Sequence, residues 1–218
     1  MVPLLHRMLG SPTLYHLLRH GLLGGLPFRQ WVTLYGLDDP KQRVADLGCG
    51  PADILRYVAP ANQPEQYVGI DFDADYLRRA EELAGKLKLN ARFVNIDLTR
   101  LTHDAATQQS LVDLLTEHRI NRVLLLGVMH HLDDVSTRTT LDLLASVPTV
   151  QTVVTQDVAV VPGHGVNNFL AARDRGQFVR TQEQYEGLLA STRWPGRQLS
   201  WTRPGFRVAK YIHFTLSR

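Results

Sequence analysis

The chain has 218 residues, 44% of them hydrophobic and 21% charged, with a formal net charge of +3. This is enough chain to close one good-sized core, and the even spread of apolar residues excludes a disordered polymer. The charge is mild and has no long basic run of the kind a nucleic-acid footprint needs. The single cysteine, Cys49, excludes an intramolecular disulfide and points to a reducing, cytoplasmic setting.

The opening apolar stretch is interrupted by His6, Arg7, Pro12, His16, Arg19 and His20, which argues against membrane insertion and against a secretory leader. Ser11-Pro12 followed by Leu14, Leu17 and Leu18 predicts a short helix. A second helix is predicted from about Pro27 to Leu37, carrying Phe28, Trp31, Leu34 and Tyr35. Asp38-Asp39-Pro40 closes this preamble as a turn, so residues 1–40 are expected to form a helical lid on a domain spanning 41–218.

From there short apolar runs at Arg43–Leu47, Gln66–Ile70, Ala91–Ile96, Asn121–Leu126 and Thr149–Gln156 predict five strands. Helical periodicity separates them. It is clearest over Asp73–Leu89, where Leu77, Ala80, Leu83, Ala84 and Leu87 form one apolar stripe. Further helices are expected around Leu111, Leu114 and Leu115, around Leu141, Leu143 and Leu144, and from Thr181 with Glu183 or Gln184 in its first turn. At the end Gln198–Thr202 and Arg207–Leu216, joined by Arg203-Pro204-Gly205, read as an antiparallel hairpin. Strands alternating with amphipathic helices imply an α/β fold: a mostly parallel seven-stranded sheet with a C-terminal antiparallel hairpin and helices on both faces.

The first strand ends Asp46-Leu47-Gly48-Cys49-Gly50-Pro51-Ala52-Asp53, a Gly-x-Gly turn after an acidic residue, with a helix expected beyond it. Ligands of such sheets lie beyond the carboxyl ends of the strands. A dinucleotide would want a third glycine where Asp53 stands, and Pro51 removes a backbone donor, so a pyrophosphate is disfavoured. Asp46 suits a cofactor with a cationic end, such as S-adenosylmethionine (SAM). The second strand ends at Asp71, which can accept both hydroxyls of a ribose. The third runs into Ile96-Asp97: Asp97 either accepts an adenine amino group, with Ile96 and Phe72 against the ring, or caps a helix.

These stretches resemble class I SAM-dependent methyltransferases. Asp46-Leu47-Gly48-Cys49-Gly50 is similar to their first motif and Gly69-Ile70-Asp71 to their second. Val128-Met129-His130-His131-Leu132-Asp133-Asp134, after the fourth strand, resembles the generic methyltransferase-domain branch, which includes quinone-biosynthesis and many small-molecule methyltransferases. The resemblance implies a Rossmann-like class I fold and SAM as cofactor, with S-adenosylhomocysteine (SAH) as product. It implies that Gly48, Gly50 and the Asp46 region hold the methionine portion, Asp71 the ribose, and Asp97 with Ile96 the adenine; Cys49, Phe72 and Gly127 are further candidate cofactor contacts. Ala52 and Asn121-Arg122 depart from the usual pattern at two positions.

A methyl acceptor that must lose a proton needs a base, and His130, His131, Asp157 and His164 stand at the expected crevice. For the two adjacent histidines the other reading is structural: one packs against the cofactor loop and the other caps the next helix. Adjacent residues point different ways, so no metal site is expected. Arg173, Arg175 and Arg180 either clamp an anionic acceptor or brace a helix pair, and Tyr15, Phe28, Trp31 and Tyr35 either line an aromatic acceptor pocket or belong to the core. The expected partner is a small molecule, anionic or aromatic. No Asn-Pro-Pro-Tyr-like motif follows the fourth strand, which argues against a nucleic-acid target. The alternatives are a SAM-binding scaffold, a non-methylating use of SAM, and, after these, an RNA or protein methyltransferase.

Overall fold

The structure, a computed structural model, describes residues 28–172, 176–202 and 210–218. The predicted helix around Leu14, the arginines Arg173 and Arg175 and the Arg203-Pro204-Gly205 turn lie outside the described residues, as does most of the expected lid.

Helix α1 (Phe28–Tyr35) precedes β1 (Arg43–Leu47), and β2 (Gln66–Asp71), α2 (Ala74–Leu87), β3 (Ala91–Asn95), α3 (Ala105–Glu117), β4 (Arg122–Leu126), α4 (Asp134–Ser146) and β5 (Thr152–Val160) follow in alternation. Then come α5 (Gly165–Ala171), the two-residue β6 (Arg180–Thr181), α6 (Gln182–Ala190), β7 (Gly196–Thr202) and β8 (Tyr211–Ser217). The sheet order is β3-β2-β1-β4-β5-β8-β7, with β6 pairing to β5. β1 to β5 pair in parallel, while β8 runs antiparallel to both β5 and β7. To the seven expected strands the structure thus adds a short eighth, β6, parallel to the end of β5.

Local chemistry sets the helix ends. Asp73, Asp104 and Asp133 cap α2, α3 and α4 by accepting backbone N–H groups of the first turn. Thr181 and Gln184 form a reciprocal capping box on α6. The helix expected after Gly50 is instead a five-residue 3₁₀ turn, Asp53–Tyr57. Its N-cap residue, Ala52, sits in the left-handed region at φ 52° and offers no side-chain cap, and Pro60 follows too soon for a longer helix. Strand β5 reaches four residues past the expected Gln156, because β8 pairs it to Val158 and β6 to Val160.

Two cores flank the sheet. On one face Ala45, Leu47, Val68, Val123 and Val153 pack with Leu111, Leu115, Leu141 and Tyr185 from α3, α4 and α6. On the other, Val44, Tyr67, Leu124 and Val154 pack with Trp31 and Tyr35 of α1 and with Ala80 and Leu83 of α2. Alternation along each strand sends successive side chains to opposite cores, so neighbouring ionisable residues on β5 and β8 end up on different faces. Among the described residues no helix is long and apolar enough to cross a membrane.

Candidate active site

The turn after β1 is built into the sheet. The N–H groups of Gly48 and Cys49 both donate to the Ile70 carbonyl, at 2.7 and 3.0 Å. Gly48 has φ 75°, and a Cβ there would lie 2.6 Å from Cγ2 of Val128, so glycine is required by the protein itself at this point. Ala52 is buried with φ 52°, a left-handed backbone that its small side chain tolerates. Asp71 ties the turn to β2. One carboxylate oxygen accepts from Gly50 N–H at 2.8 Å and the other from Asp73 N–H at 2.9 Å.

Asp46 lies beneath the turn, 2% exposed. Its Oδ2 accepts from the Tyr67 hydroxyl at 2.6 Å, while Oδ1 is buried without a hydrogen-bond partner. Burial pushes its carboxyl up to about 7, against the opposing pull of the Tyr67 hydrogen bond and with a smaller push from Asp71. Cys49 is a wedge: a Cβ on Gly69 would come within 2.9 Å of its Sγ. Burial and the two nearby carboxylates raise its thiol far above the ordinary range, which removes it from thiolate chemistry.

At the carboxyl end of β2, Phe72 is 70% exposed, an unusual state for a large apolar ring. Its carbonyl accepts from the Asn95 amide at 2.8 Å, which fixes the backbone there. Ile96 donates its N–H to the Asp71 carbonyl. Asp97 accepts from both N–H and hydroxyl of Thr99 and so caps the 3₁₀ turn Leu98–Thr102, leaving lone pairs on the carboxylate for other donors. Ile96 and Asp97 line a groove of about 470 Å³ together with Arg100, Thr107 and Leu114.

After β4, Gly127 (φ 71°) donates its N–H to the Gln156 carbonyl, and the chain enters the 3₁₀ turn Met129–His131. His130 is 4% exposed and meets Asp157 of β5: Nδ1 lies 2.6 Å from Oδ1, which also accepts the His130 N–H at 3.1 Å. Asp157 Oδ2 is buried and unpartnered. Burial raises the Asp157 carboxyl, and the His130 ring and backbone N–H beside it pull it back. The Cε1 edge of His130 faces Gly127, 3.7 Å from where a Cβ would stand. His131 is exposed and its ring lies 4.2 Å from that of His130, tilted by 39°; the cap of α4 is Asp133.

The structure therefore unites two of the four candidate catalytic residues. His164 stands apart in the turn before α5, with Nε2 2.7 Å from the Lys210 ammonium. Sequence reasoning missed Tyr67 as the partner of Asp46, although both fall on the same face by strand alternation. It also missed the buried His213, whose ring packs 6.1 Å from Trp31 and 6.4 Å from Tyr35. Trp31 and Tyr35 are core residues, with the Tyr35 hydroxyl donating to Oε1 of Gln156. Among the described residues no group of three or more histidine, cysteine or acidic side chains is placed to hold a metal ion.

Residues 45–147 match the family model described as a methyltransferase domain. Among solved structures, the methyltransferase domain of bacterial CtHen1 superposes with a TM-score of 0.61 at 14% identity, covering 88% of this chain and 97% of that one. Magnesium protoporphyrin IX methyltransferase from Synechocystis PCC 6803, with bound SAH, gives 0.59 at 17% identity over 87% of this chain and 80% of its own. The small RNA methyltransferase HEN1 gives 0.64 at 15% identity over 88% of this chain but 25% of its own. At such identities the structural likeness establishes the fold. No curated protein matches the sequence. The family match makes residues 45–147 a methyltransferase domain, carried on the fold those solved methyltransferases share, with SAM as its cofactor.

Proposed function

We propose that this enzyme methylates a small-molecule acceptor bearing a removable proton, and that His130, oriented by Asp157, receives that proton. The observation that carries the reading is the 2.6 Å contact between His130 Nδ1 and Asp157 Oδ1, closed off in the protein at the carboxyl ends of β4 and β5. A carboxylate on one imidazole nitrogen fixes the tautomer and raises the basicity of the other. A placed base of this kind contributes about 10²–10⁴-fold.

The residues at the glycine turn fit the cofactor. A Cβ on Gly50 would meet no atom of the described residues within 4 Å, and below it Asp46 holds a carboxylate oxygen without a partner among them. When bound, SAM supplies an electrophilic methyl group on a sulfonium sulfur. In this reading Gly48, Cys49, Gly50 and Gly127 give the backbone close approach on the methionine side, and Asp46 supplies negative charge beneath it. Asp71 keeps lone pairs for the ribose hydroxyls beyond its two internal hydrogen bonds, and exposed Phe72 offers its ring to the adenine beside Ile96 and Asp97. In this reading the enzyme works in the cytoplasm.

The test is methyl-labelled SAM incubated with a small-molecule extract and, separately, with total RNA, using wild type and His130→Gln. Label is expected in the small-molecule fraction, reduced about 10²–10⁴-fold in the variant, while SAH affinity stays within about twofold. Label in RNA would replace the acceptor class. Tight SAM binding with label in neither fraction would favour a non-methylating SAM protein.

A further inference from the structure

We infer that Arg180 is the positioning residue of the His130–Asp157 pair, acting through the backbone on both sides of the histidine. This rests on the reading of that pair as the proton-accepting group.

The pair joins two pieces of chain 27 residues apart, the 3₁₀ turn after β4 and the second half of β5, which meet where β4 and β5 pair and Gly127 N–H reaches the Gln156 carbonyl. Arg180 touches both. Its Cα pairs in register with Ala159, two residues beyond Asp157 on the same strand. Its guanidinium reaches across to the turn, where Nη1 donates to the Met129 carbonyl at 2.8 Å and Nη2 to the Leu132 carbonyl at 2.8 Å. These two carbonyls bracket His130 and His131. Nη1 also donates to Phe178 O at 3.1 Å, and Nε and Nη2 lie 2.9 and 2.7 Å from Asp134 Oδ1. The side chain is buried, with its guanidinium carbon 5.7 Å from the Tyr185 ring centroid.

All three nitrogens of the guanidinium thus donate to partners within the chain, in four hydrogen bonds, so Arg180 is turned inward and not toward an anionic acceptor. Its planar fork is suited to gripping several fixed carbonyls at once, which a lysine ammonium does less well. The segment leading into Arg180 completes the hold. Phe178 N–H donates to the His130 carbonyl at 2.9 Å. Gly176 crosses the imidazole so closely that a Cβ would overlap His130 Cδ2 and stand 2.7 Å from the His130 carbonyl. The ring is therefore held by Asp157 at Nδ1 and covered at Cδ2 by Gly176, with the turn that carries it fastened by Arg180.

The experiment is proton NMR of the full chain saturated with SAH, following the downfield Nδ1 proton of the His130–Asp157 hydrogen bond, assigned by its loss in His130→Gln. Arg180→Met is expected to lose the signal while SAH affinity and circular dichroism stay as in wild type. Arg180→Lys is expected to keep it exchange-broadened, because an ammonium can satisfy one bracketing carbonyl but not hold both. Gly176→Ala should lose it by displacing the ring. An unchanged sharp signal in Arg180→Met, or in Arg180→Lys if the methionine variant does not fold, would overturn the inference and leave Arg180 a purely structural ion. A wild type with no such signal would overturn the pair itself, and the inference with it.

Discussion

The two faces of the sheet bury ionisable groups in opposite ways. On the α4 face, His130 is 4% exposed and sits against a carboxylate at 2.6 Å. On the α1 face, His213 is 1% exposed and neither ring nitrogen has a hydrogen-bond partner. The two sites are almost neighbours: His213 pairs across the strands with Gln156, and the next residue, Asp157, belongs to His130. One step along β5 separates an amide from a carboxylate and one face from the other. Burial without a partner pushes the His213 ring down to about 4 and keeps it neutral. Asp46, on that same face, has only the neutral Tyr67 hydroxyl and is pushed up to about 7. Burial alone works against the charged form of His213 and of Asp46, whereas on the other face a histidine is set directly against a carboxylate.

The largest expected effect comes from making the first histidine resemble the second. Asp157→Leu leaves His130 buried without a carboxylate, and methyl transfer should fall by about 10²–10⁴-fold. Single-turnover label transfer measures it, with SAH calorimetry showing the cofactor site intact; unaltered turnover would remove the pair from the mechanism.

Asp46→Asn comes next. Because the folded carboxyl near 7 lies above its ordinary 3.8, the native state holds a proton that the unfolded chain has released between those values. The stability this group contributes is therefore lost as pH rises through about 7. The ligand-free asparagine variant should be the more stable at pH 8, with Tm higher by several degrees, and the same variant should bind SAM more weakly. A wild-type Tm with the same pH slope as the variant would show that Asp46 is ionised throughout.

His213→Phe probes the opposite limb. Its folded value near 4 lies below the ordinary 6.5, so its contribution is present above 6.5 and lost as pH falls to about 4. Denaturant titration of wild type should lose up to roughly 3 kcal/mol across that window, from about 1.4 kcal/mol per unit, and the variant should lose less. The smallest change sharpens the contrast. Gln156→Glu places a carboxylate beside His213 and still accepts from Tyr35, so the His213 titration followed by NMR should move upward from about 4. No movement would mean that the new carboxyl is itself neutral.

Much of the turn after β1 was legible because its signals are local. Asp46, Gly48 and Gly50 fall in one turn, and Asp71 closes the next strand. The caps Asp73 and Thr181 lie within three residues of the groups they bind. The contact between His130 and Asp157 was not legible in this way. His130 and Asp157 were both candidates, but so were His131 and His164, and only the register of β5 against the turn after β4 separates them. Asp71 also proves to be partly internal, holding Gly50 and Asp73, which its spacing after Asp46 did not announce.

The sequence by itself determined the alternation of strands and helices through β5, the glycine turn and the cofactor class. Each of these rests on periodicity, on backbone freedom or on contacts a few residues apart. Tertiary structure decided which titratable groups are paired, which are stranded, and that the donors of Arg180 turn inward to the chain's own carbonyls. Those outcomes depend on which face of the sheet a side chain takes. A shift of one residue reverses that face, and only the complete pairing of strands sets it.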